Sequence, residues 1–498
     1  MKIIKTLMSL FAQLLSDEGK LTSRAKRGGI WVSFTNLFTN VMNIATTIAL
    51  ARWFLDPKDF GVIGIIVILT ELMKLLAFQG VCDALIYIKN CNRKMLDTFI
   101  VTTGFLGFFF LIITFLGASY VAQFFNNPLL TGTLKIIAFT YPLMSISSIP
   151  LALLRKELDF KRESFVLLIA QVFSTISMII FASLNYGIYS VIYGLVVKSI
   201  TTFILAFYYA RYFPSLNFQY KTLKEIFRYI KYVTTGAGLM FILNRADQFI
   251  VGKFLGAKAL GFYSTAFNIL NYILMTPRTT FNKVLFSTYA KMQDDEQQLR
   301  VAFLNTGKYI CTLFIPIFAG IGAVSELLVD FLLGSKWMES AILLKFLSFY
   351  AIVKIIGVAF PQVMKAVNRT EYIFRYNALR LVVMIPALVL ASYYTINIVA
   401  ITMVGLLWIF KPLEIYMLKK AIGLKTKQYF NMFIGPFFVS MLMWGIIFVI
   451  DQLLIGLHDI ILLIILFAFG IMFYALMIRL IDTKGAVQFR SFVKNYMN

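Results

Sequence analysis

The 498-residue chain holds one histidine, His458, and three cysteines, Cys82, Cys91 and Cys311. One imidazole cannot build a histidine-based zinc or haem site, and the three thiols show neither metal-ligand spacing nor a disulfide framework. Charge is also scarce: 14% of residues are Asp, Glu, Lys or Arg, where a soluble domain carries about 25%. There is no Walker A run and no dinucleotide glycine fingerprint, so the chain is not expected to drive itself with ATP. No stretch is both long and polar enough to form an extramembrane domain. Apolar residues make up 60% of the chain, 50 of them Phe, and mean hydropathy is +0.82. These values exclude a soluble enzyme, a coiled coil and a disordered chain. The apolar runs are continuous rather than alternating, which excludes a membrane β-barrel. What remains is an all-α polytopic membrane protein.

Fourteen apolar segments follow one another at 29–50, 60–80, 99–122, 133–154, 164–182, 188–210, 232–251, 260–281, 301–325, 341–362, 376–392, 398–418, 429–450 and 460–478. Turn chemistry or charge separates them, as at Asp56-Pro57, Asn126-Asn127-Pro128, Asn185-Tyr186-Gly187 and Asp294-Asp295-Glu296. Acidic residues are few: 23 against 47 Lys and Arg, a net charge of +24. In a soluble protein that excess suggests nucleic acid. In a membrane chain it reads as the positive-inside rule, and no nucleic-acid partner is expected. With the N-terminus inside, the inner segments hold 32 Lys and Arg and the outer loops hold 5. The alternation holds at every loop. It predicts 14 transmembrane helices in a cytoplasmic membrane, with both termini cytoplasmic.

Residues 1–27 carry Ile3, Leu7, Leu10, Phe11 and Leu14 on one helical face and Lys2, Lys5, Ser9 and Gln13 on another. No small-residue cleavage site follows. The segment reads as an amphipathic helix lying on the cytoplasmic leaflet. The first outer loop, Phe54-Leu55-Asp56-Pro57-Lys58-Asp59-Phe60-Gly61, returns 200 positions later as Phe254-Leu255-Gly256-Ala257-Lys258-Ala259-Leu260-Gly261. Both copies join the first and second helix of a six-helix set and face the same side, so the repeats are parallel. The expected organisation is a six-helix lobe over 28–210, a cytoplasmic linker over 211–231, a second six-helix lobe over 232–418, and a helix pair with a tail over 419–498.

The run Ala49 to Gly61 resembles the first-loop signature of bacterial polysaccharide exporters, the Wzx (WzxC-like) lipid-linked oligosaccharide flippases. Asp247 to Gly256, continuing through Gly261-Phe262-Tyr263-Ser264, resembles that family's mid-chain signature. Arg155-Lys156-Glu157-Leu158-Asp159-Phe160-Lys161-Arg162 resembles its fourth inner-loop pattern. The resemblance covers about 25–485 and points to the family, not to the glycan. It implies membership of the multidrug/oligosaccharidyl-lipid/polysaccharide exporter superfamily. It also implies two lobes around a central cavity lined by the first two helices of each.

Ten Lys and Arg remain inside the apolar segments: Lys74, Lys135, Lys198, Arg245, Arg278, Lys308, Lys345, Lys354, Arg380 and Lys411. A charge at the middle of a lone membrane helix costs about 2.5–3.5 kcal/mol on insertion scales, so such residues normally face a bundle interior. Lys135, Lys308 and Lys345 lie near helix ends and can snorkel. Lys411 stands three residues from Glu414 and reads as structural. Glu71 and Lys74 share a helical face at i,i+3. They are either a neutralised pair that makes insertion tolerable or a pair that a substrate anion or proton can break. Asn244-Arg245-Ala246-Asp247-Gln248 is too polar to face lipid throughout. Arg278 follows Pro277 and either snorkels inward or faces the cavity. Lys198, Lys354 and Arg380 are midplane candidates of second rank.

The interior is therefore rich in cations, opposed only by Glu71, Asp247 and Glu414. Unpaired buried charge is expensive, so an anionic partner is implied, and Arg suits phosphate through its planar fork. The expected activity is flipping of an undecaprenyl-diphosphate-linked oligosaccharide, of O-antigen, capsule or exopolysaccharide type, from the inner to the outer leaflet by alternating access. Lys74, Arg245 and Arg278 would hold the head group. Glu71 and Asp247 are the acids for coupling to H+ or Na+, and no other cofactor or metal is expected. Partners are the lipid-linked glycan, membrane lipid, and a polysaccharide polymerase with its chain-length proteins. A cation-coupled multidrug exporter of the same superfamily would favour an acidic cavity. A membrane glycosyltransferase or polymerase would need paired outer-loop acids. Asp56 and Asp59 read instead as a turn and a helix cap.

Overall fold

The computed structural model describes residues 20–88, 91–212, 214–215, 217–454 and 458–481; the side chains of 20–27, 225, 228, 229, 231–233, 275–284 and 481 lie outside the description. The predicted amphipathic helix therefore falls largely outside the described residues. Among the described residues every regular element is helical. In order these are α1 (Lys20–Trp53), α2 (Pro57–Lys74), α3 (Gly80–Tyr87), α4 (Arg93–Phe124), α5 (Leu129–Ala138), α6 (Thr140–Lys156), α7 (Phe160–Ser183), α8 (Tyr189–Ala210) and α9 (Tyr220–Phe254). There follow α10 (Gly256–Ala290), α11 (Glu296–Ala323), α12 (Ser325–Leu333), α13 (Met338–Ile356), α14 (Phe360–Ala366), α15 (Thr370–Ser392), α16 (Ile396–Ile409), α17 (Lys411–Ile422), α18 (Thr426–Leu453) and α19 (Asp459–Ile481). A π-helical turn, Leu75–Gln79, joins α2 to α3. Eleven stretches among the described residues are long and apolar enough to cross a membrane.

Local chemistry sets the helix ends. Pro57 occupies the first turn of α2, where its missing N–H costs nothing. The Asp59 carboxylate accepts the Asp56 N–H at 3.1 Å, so these two acids belong to a helix cap. Asn92, Asp159 and Asp295 each accept a backbone N–H three residues on. Asn126 and Asn185 adopt left-handed backbone at two of the predicted breaks.

The chain divides into two compact units, Met1–Arg245 with Gly256–Lys258, and Ala246–Leu255 with Ala259–Asn498. The division falls inside α9, not at 211–231. Lys221, Lys224, Arg228 and Lys231 give that stretch the composition of a loop, yet α9 already begins at Tyr220. Its apolar face explains this: Ile226 is fully buried in a core with Val81, Leu85, Phe99 and Ile149. The segment before α9 is pinned as well. Fully buried Asp97 accepts hydrogen bonds from the Tyr212 hydroxyl, the Ser215 N–H and hydroxyl, and the Asn217 amide. Burial and the Asp97 carboxylate both push the Tyr212 phenol above its ordinary value.

In the first unit α7 packs on α8, where the Ser174 hydroxyl donates to the Gly194 carbonyl at 2.9 Å. Helices α4 and α6 meet at Gly107, whose missing Cβ would lie 2.9 Å from Pro142 Cα. Small residues at such crossings let membrane helices approach closely. In the second unit α11 packs against α13 and α18 at Gly322 and Gly307.

Candidate functional site

Within the first unit α2 and α9 bring opposite charges together. Arg245 donates from Nε to Glu71 Oε2 at 2.8 Å and from Nη2 to Glu71 Oε1 at 2.7 Å. This two-pronged geometry is the strong form of an arginine–carboxylate bond. The Arg245 side chain is 19% exposed and that of Glu71 38%, so the carboxylate remains reachable. The helical spacing suggested a Glu71–Lys74 pair, but Glu71 takes the arginine of another helix instead. Among the described residues no acceptor lies within hydrogen-bond reach of the Lys74 ammonium.

Glu71 and Lys74 open onto a cavity of about 350 Å³, lined also by Leu75, Gln79, Met240, Phe241 and Asn244. The π turn begins directly after Lys74 and ends at Gln79. Gln79, at the end of this turn, lines the cavity with Glu71 and Leu75. Such turns recur at functional sites. No glycine or proline pattern in 70–79 foretells it.

A second polar cluster of the first unit surrounds Lys198 on α8. Its ammonium donates to Gln171 Oε1 at 2.6 Å. The Gln171 amide in turn donates to Asn43 Oδ1 at 2.9 Å and lies 3.4 Å from Thr175 Oγ1. Thr46 Oγ1 stands 3.2 Å from Thr175 Oγ1. Gln171, Thr46 and Thr175 are buried. The acceptor for this lysine is thus a neutral amide, which orients the ammonium without cancelling its charge. Asn43 with Thr46 at i,i+3, and Gln171 with Thr175 at i,i+4, were the legible signal for this cluster.

In the second unit Asp247 is buried and accepts the Tyr263 hydroxyl at 2.9 Å. Tyr263 stacks on Phe267, which touches Tyr350. Lys354 donates to the Tyr350 hydroxyl at 2.8 Å. Arg380 on α15 is half-buried, with its Nε unbonded among the described residues. The side chain of Arg278, on α10, lies outside the described residues. Lys411 donates to Glu414 Oε2 at 2.8 Å, the structural pair its spacing predicts. Among the described residues no group of three His, Cys, Asp or Glu could hold a metal ion.

A family model described as a polysaccharide biosynthesis protein matches residues 49–342. The chain is 23% identical over 426 residues to the lipopolysaccharide biosynthesis protein WzxC of Escherichia coli (strain K12), covering 84% of this chain and 86% of that one. It is 21% identical over 440 residues to the teichuronic acid biosynthesis protein TuaB of Bacillus subtilis (strain 168), covering 86% and 89%. Among solved structures it resembles the lipid II flippase MurJ in an inward closed conformation, with a TM-score of 0.73 at 14% identity over 93% of this chain and 99% of that one. It also resembles an inward-facing multidrug resistance MATE family transporter, with a TM-score of 0.62 at 15% identity over 77% of this chain and 94% of that one. At these identities the structural likeness speaks to the fold.

Proposed function

This chain belongs to the polysaccharide biosynthesis protein family, and from that membership we propose that it flips an undecaprenyl-diphosphate-linked oligosaccharide from the inner to the outer leaflet of the cytoplasmic membrane. It is a Wzx-like flippase of the multidrug/oligosaccharidyl-lipid/polysaccharide exporter superfamily, a membrane transport protein and not an enzyme. The glycan class and the direction are our reading. So are the fourteen crossings with both termini inside, the two six-helix lobes with a C-terminal pair, and export by alternating access.

The observation that carries the substrate assignment is the Glu71–Arg245 clasp beside Lys74, whose ammonium has no hydrogen-bond acceptor among the described residues. A carboxylate bound in the arginine fork has the shape and charge of one phosphate edge. A lipid diphosphate entering the cavity can exchange with Glu71, taking the fork of Arg245 and the point charge of Lys74. Glu71 then becomes the released acid, free to take up a proton, which links transport to H+. Asp247 is the corresponding acid of the second unit, with Na+ as the other coupling ion. Arg278 is given the same phosphate role on sequence grounds alone, and Lys198, Lys354 and Arg380 rank behind it. A polymerase and its chain-length proteins would receive the flipped unit.

The test is reconstitution. Purified protein in liposomes should move a fluorescent polyprenyl-diphosphate glycan to the opposite leaflet, where an added impermeant quencher reaches it. Lys74→Ala should remove most of that movement. Translocation of cationic dyes in place of the diphosphate lipid would overturn the reading in favour of a drug exporter.

A further inference from the structure

In the second unit α13 and α18 form a groove that the transport reading does not use, and α12 contributes the ion-pair partner of its lysine. Lys345 on α13 and Met441, Trp444, Gly445 and Phe448 on α18 enclose about 380 Å³. The Lys345 ammonium donates to Glu326 Oε1 on α12 at 2.9 Å and lies 6.0 Å from the centre of the Phe448 ring. Asp451, one turn beyond Phe448, lies within electrostatic reach of both Glu326 and Lys345. The polar end of the groove therefore carries the Lys345–Glu326 ion pair, with the Asp451 carboxylate in its electrostatic field. The other end is apolar, with Trp444 held by the Phe349 ring at 4.5 Å between centres. Ile342, Leu442, Phe448 and Val449 around it are exposed, and in a membrane protein an exposed apolar surface meets lipid.

Charge decides what fits such a groove. An anionic head group would meet Lys345 but be repelled by Glu326 and Asp451. A cationic one would meet the reverse. A zwitterion carrying a phosphate and a primary ammonium satisfies all three side chains, because each half of the Lys345–Glu326 pair exchanges its partner for one of the ligand's charges. A primary ammonium donates three hydrogen bonds to carboxylates, which a quaternary choline cannot do. We propose that this groove binds one aminophospholipid, with its phosphate on Lys345, its ammonium on Glu326 and Asp451, and an acyl chain along Met441, Trp444 and Phe448. A polyprenyl diphosphate, with two phosphates and no ammonium, suits the two carboxylates poorly.

Gly445 supplies a clean test, since a Cβ there would meet nothing within 4 Å. Gly445 lines the groove, so Gly445→Leu puts its side chain where the acyl chain would lie. The full chain in detergent is offered equal amounts of dioleoyl phosphatidylethanolamine, phosphatidylcholine, phosphatidylglycerol and undecaprenyl phosphate, and retained lipid is read by native mass spectrometry. The wild type should keep one phosphatidylethanolamine at about tenfold preference, and Lys345→Gln should lose about that factor, the equivalent of one charge-assisted hydrogen bond. Gly445→Leu should lose the lipid. Glu326→Gln with Asp451→Asn should bind phosphatidylglycerol as well as phosphatidylethanolamine. Equal retention of all four lipids, preference for undecaprenyl phosphate, or unchanged binding in Gly445→Leu would each overturn the proposal. Because the readout is lipid retention, it stands or falls apart from flipping.

Discussion

Arg245 grips Glu71 through both carboxylate oxygens, at 2.8 and 2.7 Å, across two helices of the first unit. Removing the arginine removes two charge-assisted bonds, each worth about 1.5–3 kcal/mol. Arg245→Ala should therefore lower export at least about tenfold while the protein still accumulates in the membrane. Arg245→Lys should recover only part, because it keeps the charge and loses the fork. Glu71→Gln should bind the diphosphate lipid more tightly and turn over more slowly, since the competing carboxylate is gone. Surface polysaccharide in a flippase-null strain, with protein level checked, reads all three. Normal export by Arg245→Ala would leave the clasp a purely structural ion pair.

Gln171 acts on Lys198 as a neutral acceptor at 2.6 Å. Gln171→Glu should convert that contact into an ion pair and cancel the charge, cutting diphosphate-lipid binding by about tenfold or more. Gln171→Asn shortens the side chain and keeps it neutral, so it should cost less. Direct binding of the labelled lipid to detergent-solubilised protein compares the two. If both behave alike, the amide serves packing only.

Two glycines of one helix give a packing test. At Gly107 on α4 an added Cβ would lie 2.9 Å from Pro142 Cα and 2.9 Å from Ser145 Cβ, whereas at Gly117 it would meet nothing within 4 Å. Overpacking of this kind typically costs about 1–3 kcal/mol. Removing a helical glycine from an open site gains roughly 0.5–1 kcal/mol. Gly107→Ala should lower, and Gly117→Ala hold or raise, the apparent unfolding temperature in detergent. Equal temperatures for the two variants would contradict the tight α4–α6 crossing.

The apolar runs and turn residues made the helices legible, because period and breaks are local properties. Each segment from 29–50 to 460–478 is mostly helical in the structure, several being broken by short turns such as 357–359 within 341–362. The start of α9 was not legible, because its basic residues dominate the composition while Ile226 and Ile230, on one face, carry the packing. At the site, Glu71, Lys74 and Arg245 stand out as charges in apolar segments. Their pairing does not, since i,i+3 spacing shows which charges share a face and says nothing of a stronger partner on another helix. The π turn over Leu75–Gln79 left no mark, because no glycine or proline within it signals a change of helical pitch.

The loop charges predict Cys91 inside and Asn397 outside. An impermeant maleimide on intact cells should miss Cys91 and label Asn397→Cys. In permeabilised cells Cys91 should react, but slowly, because burial pushes its thiol up and nearby Lys156 offsets this only in part. A raised thiol value means less thiolate at neutral pH, so Cys91 labelling should quicken as pH rises. Labelling of Cys91 from outside would invert the topology.

The Lys411–Glu414–Tyr429 cluster of the second unit tests how a membrane chain tolerates its own buried charges. Lys411, Glu414 and Tyr429 are 6%, 3% and 1% exposed. Glu414 receives the Lys411 ammonium on one oxygen and the Tyr429 hydroxyl on the other, each at 2.8 Å. Every strong polar atom of the pair is engaged, so the cluster is expected to be structural rather than mobile. Breaking a buried pair by removing one partner costs about 3–5 kcal/mol, because the survivor stays buried and uncompensated, while removing both charges is often close to neutral. Lys411→Met and Glu414→Gln should each lower the apparent unfolding temperature in detergent. The double variant should be more stable than either single one. Export should follow protein level and show no separate defect. Gly357 adds a check, since a Cβ there would stand 2.6 Å from Lys411 Nζ and 2.9 Å from both Glu414 oxygens. Gly357→Ala should thus destabilise the wild type more than the double variant, in which the methionine is shorter than the lysine it replaces and neither side chain is charged. A double variant that folds normally yet fails to export would move this cluster from scaffold to transport machinery.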